Sequence, residues 1–439
     1  MSHTTRSGRI WLRRIAVSFF VCLGLTPAAR AQQQHSMPIL PPPAQAPIAL
    51  SQPAQEKTYS LNDCVLIGLG SQPAIAAQRA SLASAEAQRQ ALDHMVLASL
   101  VSHELGFRKR QACLGVTISQ AGVDIAEWET IYAVTRCYYS VIYARQQEVL
   151  ARGLMEKLEL SRKSAQALVK KADPDNPVTQ VDVDKLTVNL ELLELRLIEA
   201  STGVNRATAA LKEAMGLRYD TPLALPLVTL PSTSDIVDRD VVIQMAMSRR
   251  GELLQATLAS QLTELEICAQ NSGCCLLPFR KTFAAASDIH AKPIPQGTSN
   301  GTYRPSAIGI EMPSTLVGNK SDRVARAMEL NTRAGSVVEK TQNLIALEVE
   351  DAFYKWQAAT GQVKTLRESA AKSAKLAALI SGRFESGKVS GEDYLRARTL
   401  EDQTQAQLNE AIYHQILALA ALERVTAGGF TPSFRRSQQ

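Results

Sequence analysis

Aromatic residues make up only 5% of this sequence, and it holds just six histidines. With so few aromatics and so much Ala, Leu, Gln and Glu, a compact β-rich core is excluded in favour of long helices. Past the first 31 residues the histidines are scattered, at His35, His94, His103, His290 and His414. No phosphate loop, nucleophile elbow or other catalytic constellation accompanies them, so we expect no enzyme activity, no cofactor and no metal site. The cysteines form no C-x-x-C pair and have no histidine at ligand spacing, which removes the usual zinc signatures. Cys64, Cys113, Cys137, Cys268, Cys274 and Cys275 read as small buried apolar residues, and a disulfide around Cys268–Cys275 stays open. After residue 31 no run is apolar enough for a membrane helix, so any crossing must be made by β-strands.

The one strongly apolar run, Ile15 to Leu25, follows Arg6, Arg9, Arg13 and Arg14 and precedes Ala29-Arg30-Ala31. A basic region, a short apolar region and an A-x-A site together read as an export signal over residues 1–31, and the run is short for an uncleaved anchor. Phe19-Phe20-Val21 stand before Cys22 where a lipoprotein signal needs small residues, so no lipid anchor is expected. Removal of residues 1–31 takes away five arginines and no acid, and the net charge falls from +6 to +1. No argument for a nucleic-acid partner survives that subtraction. Residues 32–56, rich in Gln, Pro and Ala, read as a disordered leader.

What the chain has in abundance is heptad spacing. Ile345, Val349, Ala352, Trp356, Ala359, Val363, Leu366 and Ala370 step alternately by 4 and 3 residues, as do Leu186, Leu190, Leu193, Leu197, Ala200, Val204, Ala207 and Leu211. A 3.5-residue period keeps one seam facing a partner helix. The spacing predicts one helix over 127–171 returning over 179–215, and another over 337–386 returning over 391–425. The turns fall at Asp173-Pro174-Asp175-Asn176-Pro177 and at Ser386-Gly387-Lys388-Val389-Ser390-Gly391, where Pro and Gly end helices. Forty-five helical residues span roughly 65 Å, suited to a rod or tunnel wall. Trp128, Tyr138, Tyr139, Phe353, Tyr354 and Trp356 are expected to pack in the seams.

The hairpins are copies. Tyr138-Tyr139 aligns with Phe353-Tyr354 at an offset of 215, Met215-Gly216 with Ala427-Gly428 at 212, and Ile75 with Leu253 at 178. The shift from 178 to 215 places 37 extra residues in the second copy, near Leu276–Pro313. There Ile308, Ile310 and Met312 alternate with Ala307, Gly309 and Glu311, as in a strand with unlike faces, beyond a Thr298-Ser299-Asn300 turn. A plain loop is the competing reading. The expected fold is therefore mainly α, with duplicated long antiparallel coiled-coil helical hairpins and one short β-hairpin, about 276–313, in the second repeat. The expected division is 57–230 for the first repeat, 231–429 for the second and 430–439 for a tail.

The segment Tyr59-Ser60-Leu61-Asn62-Asp63 through Gln72-Pro73-Ala74-Ile75 resembles the opening of chains of the TolC family of bacterial outer-membrane efflux proteins. Ser248-Arg249-Arg250-Gly251-Glu252-Leu253 is similar to the same turn in the second repeat, with Gly251 where Pro is usual. Arg383-Phe384-Glu385-Ser386-Gly387-Lys388-Val389-Ser390 and Asp393-Tyr394-Leu395 resemble the second helical tip. The resemblance implies a TolC-like α-barrel protomer in a homotrimer, set in the outer membrane with a long periplasmic part. It implies a passive export conduit that works with a periplasmic adaptor and an inner-membrane transporter in efflux or type I secretion. It makes Gly387, Lys388, Val389 and Ser390 the adaptor-docking tip. Asp173 and Asp175, with Asp182 and Asp184 beyond, would ring a tunnel mouth in a symmetric assembly, or serve only the turn. The family pattern has four strands per chain, and one hairpin supplies two. A pore-less periplasmic scaffold is the alternative.

Overall fold

The computed structural model describes residues 58–95, 103–170, 178–272, 293–294, 305–311, 316–386 and 388–436. The export signal and leader lie outside them. Within the described residues the helices are α1 (Leu61–Ser71), α2 (Pro73–His94), α3 (Leu105–Lys170), α4 (Gln180–Ala214), α5 (Arg239–Arg249), α6 (Gly251–Asn271), α7 (Lys320–Glu385), α8 (Gly391–Val425) and the short α9 (Ser433–Arg436). The strands β1 (Pro293–Ile294) and β2 (Ile308–Gly309) pair antiparallel, Pro293 with Gly309 and Ile294 with Ile308. No described helix is long and apolar enough to cross a membrane.

The duplication is carried by helix length. α3 and α7 have 66 residues each, and α4 and α8 have 35 each. Both long helices begin 22 or 17 residues before their expected starts, at Leu105 rather than Glu127 and at Lys320 rather than Val337. Their early turns leave no heptad signature, yet Leu105, Arg108 and Arg323 in them are buried. At about 1.5 Å per residue each long helix spans about 100 Å. The offset between α4 and α8 is 211, not 212, because the Schellman closure falls on Gly216 in one copy and on Ala427 in the other. Leu217 N–H donates to Lys212 O, and Gly428 N–H to Glu423 O, each at 2.9 Å. Gly216 takes φ 67° and Ala427 takes φ 46°, the left-handed region that closes such ends.

α1 and α2 retrace one half of α3 and α4 the other half; α5, α6 and α8 do the same along α7. The α1–α2 break is set by Pro73 at the first helical position. At the matching α5–α6 break stands Gly251, where a Cβ would lie 2.8 Å from Ile125 Cγ1. Close approach to α3 therefore accounts for the missing proline. Mid-length, the main core joins Tyr138, Tyr139, Leu211, Ile345, Trp356 and Leu419. Of the aromatics expected in seams, Tyr138, Tyr139 and Trp356 are buried, and Tyr354 is exposed. Arg250 and Arg424 both pair with Glu348 in this zone, tying the α5–α6 break and α8 to α7.

The β-hairpin sits against the helices. Ile308 and Ile310 pack on Ile118 of α3, Ala259 and Leu262 of α6 and Val337 of α7. Leu316 packs nearer the start of α7, on Ala327 and Leu330. β2 thus runs antiparallel to α7, and Val337 lies about 25 Å along that helix from its start.

Candidate functional site

The molecule offers two candidate sites at opposite ends of the long helices. At the tips, α3 turns into α4 and α7 into α8. Val178, Thr179 and Asp182 recur as Val389, Ser390 and Asp393. Thr179 N–H and Oγ1 each donate to Asp182 Oδ2 at 2.9 Å. Ser390 Oγ accepts from Asp393 N–H at 3.2 Å and donates to Asp393 Oδ2 at 2.9 Å. Both returning helices therefore start on a Ser/Thr cap with an acid three residues on, the pairing that satisfies free N–H groups at a helix start.

These caps bring the two tips together. Gly391 packs so closely on Asp182 that an added Cβ would lie 2.6 Å from Asp182 Cβ. Lys185 Nζ reaches Glu392 Oε2 at 3.3 Å. The Tyr394 and Ser161 hydroxyls share a hydrogen bond across the repeats, and Tyr394 stacks on Phe384 with centroids 4.6 Å apart. Of the expected docking residues, Lys388 is exposed, Val389 and Ser390 are half-buried, and Gly387 lies outside the described residues. Asp173 and Asp175 also lie outside them. Asp182 is buried in its cap, which is a helix-start role, while Asp184 is exposed and accepts from Gln180 at 3.0 Å. Ser161 and Tyr394 have no sequence signal for a joint role, because 233 residues separate them.

Just above the tips, α3, α4 and α8 enclose a cavity of about 270 Å³ lined by Leu154, Leu158, Leu193, Arg196, Arg398 and Asp402. Burial pushes the Asp402 carboxyl up to about 6, with Glu401 adding to the rise and Lys157, Arg398 and Arg196 opposing it.

At the other end, the first turn of α3, the last turns of α6 and the first turn of α7 share a buried polar network. Arg108 pairs with Glu266, its Nη2 at 3.1 Å from Oε1. Gln111 and Gln270 donate to the same carboxylate at 2.8 and 2.6 Å. Arg323 Nε donates to Gln270 Oε1 at 2.8 Å and Arg323 Nη1 to Gly318 O at 2.5 Å. Burial alone would push the Glu266 carboxyl up; Arg108 and the two amides outweigh it and hold the carboxyl below its usual range. Among the described residues no group of His, Cys, Asp and Glu is placed to hold a metal ion.

Residues 287–428 match the sequence profile of the outer membrane efflux protein family. No curated protein matches the chain in sequence. The fold is similar to several solved outer-membrane channels. OprN is 14% identical with a TM-score of 0.66, over 84% of this chain and 90% of that one. CmeC of Campylobacter jejuni is 13% identical with a TM-score of 0.65, over 88% and 93%. MtrE of Neisseria gonorrhoeae, solved in its open state, is 15% identical with a TM-score of 0.64, over 84% and 89%. At these identities the likeness is one of fold.

Proposed function

We propose that this chain, whose residues 287–428 match the outer membrane efflux protein family and whose fold is similar to that of outer-membrane channels, is a passive export conduit. It is the outer-membrane component of a tripartite efflux or type I secretion system. The observation that carries this reading is the pair of 66-residue helices, each retraced along its length by shorter helices. Such an element makes a long wall. Residues 1–31 direct export, and residues 57–230 and 231–429 form the two repeats of the wall.

The wall closes by self-association into a homotrimer. α4 exposes Val181, Val188, Leu192, Leu195 and Ile198 beside its seam with α3, and α7 exposes Leu376 and Leu379. Apolar stripes of this extent on two helices suit neighbouring copies of the same chain. The second tip, Gly387, Lys388, Val389 and Ser390, meets a periplasmic adaptor that leads to an inner-membrane transporter. Asp173 and Asp175 stand at the tunnel mouth and favour cations. Planar-bilayer recording tests the conduit, since purified oligomer that never conducts would refute it. Lys388→Glu tests the tip: adaptor capture falls, while stability stays within about 0.5 kcal/mol of wild type, as for exposed substitutions generally.

A further inference from the structure

We infer that the cavity between α3, α4 and α8 binds a small amphiphilic anion, a single apolar chain with one acidic head group. Its walls come from Gln147 to Leu158 of α3, Asn189 to Ala200 of α4 and Leu395 to Ala406 of α8. Each stretch is about three helical turns, so the cavity is a slot about 16 Å long. Its volume of about 270 Å³ lies near the lower bound of about 300 Å³ for small-molecule pockets, which suits one chain better than a fused-ring body. The end nearer the tips is walled by Leu158 and Leu395, and the far end by Gln147 and Arg196. All of these residues belong to one chain, so the site stands whether or not the assembled wall conducts. Leu192, at its edge, also belongs to the α4 stripe assigned above to a neighbouring copy.

The polar groups of the slot divide into committed and uncommitted ones. Toward the tips, Arg398 is held by Glu401 at 2.6 Å and by the Tyr394 hydroxyl at 3.4 Å, and Asn189 donates to Lys185 O at 2.8 Å. Farther up, Gln147 Nε2 is buried and meets no hydrogen-bond partner. Arg196 joins no ion pair among the described residues, and Asp402 accepts no hydrogen bond among them. Two donors, one of them a cation, thus stand unused in a slot lined mainly by leucines. An acidic head group uses both, and a charge-assisted bond to Arg196 is the stronger of the two. The charges around Asp402 favour the same ligand. Arg398 and Glu401 on its own helix cancel, while Lys157 of α3 and Arg196 of α4 are exposed cations that outnumber it. A cationic ligand would meet both of them. Asp402 itself opposes an anion only while ionised. Burial pushes its carboxyl up to about 6, and its protonated form is a third donor.

Calorimetric titration of the full chain in zwitterionic lipid nanodiscs tests the site. The probe is decanesulfonate, whose head group stays ionised throughout, with decyltrimethylammonium as the cation of the same chain. Protein-free nanodiscs give the heat of partitioning into lipid. The expected result is saturable decanesulfonate binding above that background, weakened about tenfold by Arg196→Gln through loss of a charge-assisted bond. Decyltrimethylammonium should show no saturable binding. Wild type should bind decanesulfonate more tightly at pH 5.5 than at pH 8, whereas Asp402→Asn should bind equally tightly at both. Ala151→Leu fills part of the slot, leaves every charge in place and should also weaken binding. Decanesulfonate heat that never exceeds the background overturns the inference. So does equal affinity in wild type and Arg196→Gln, unchanged affinity in Ala151→Leu, or equal binding of the two probes.

Discussion

The two repeats agree in their helices and disagree in their connections. The long helices match residue for residue in length, as do the returning ones. Yet the tips take nine residues in the first repeat and five in the second, and the opposite connections take ten and 48. Helix length is held by seam packing, in which every turn has a partner, so a change in one helix must be answered in another. Connections tolerate changes of length more readily. What the repeats share is helix length, and what separates them is the length of their connections.

Five substitutions break or sharpen this contrast. The largest effect is expected where the start of α3 meets the end of α6. Arg108→Met leaves Glu266 buried without its cation and should cost about 3–5 kcal/mol, read from guanidinium unfolding midpoints. Next comes the point where the repeats touch. Gly391→Ala drives a methyl into Asp182 and should cost about 1–3 kcal/mol, with faster amide exchange confined to the two tips. Thr179→Ala and Ser390→Ala then compare the two caps. Each should cost about 1 kcal/mol, and a large inequality between them would show that the tips are not equivalent. The smallest effect is pH-dependent. Asp402 titrates at its ordinary 3.8 when unfolded and at about 6 when folded. The unfolded chain releases that proton first, so stability falls as pH rises from about 4 to 6 and the deficit persists above. Asp402→Asn should raise the melting temperature at pH 7.5 and leave it unchanged at pH 3.5.

Much of the wall was legible because heptads repeat. Ile345, Val349, Ala352, Trp356, Ala359, Val363 and Ala370, all chosen on spacing, are buried. The early turns of α3 and α7 were not legible, because Arg108, Gln111 and Arg323 look like solvent-facing residues until their buried partners are known. The one-residue error in the offset of the returning helices has a similar cause. The eye aligns Gly216 with Gly428, both left-handed, whereas the bonds from Leu217 to Lys212 and from Gly428 to Glu423 align Gly216 with Ala427. The repeated Val-Ser/Thr-x-x-Asp at residues 178 and 389 carried the correct offset of 211. At the tip, Lys388 was readable as exposed turn chemistry, and the Ser161–Tyr394 bond was not, since only folding brings those residues together.

The equality of the helices bears on how such a chain can change over generations. A single-residue deletion inside α3 would rotate everything beyond it by about 100° and turn the seam away from α4 and α8. Only losses or gains of whole heptads, matched in the retracing helices and in the other repeat, keep the seams facing. Insertions and deletions should therefore accumulate between α6 and α7 and at the tips, so that the wall keeps a fixed height while its outer-facing segments vary from one relative to the next.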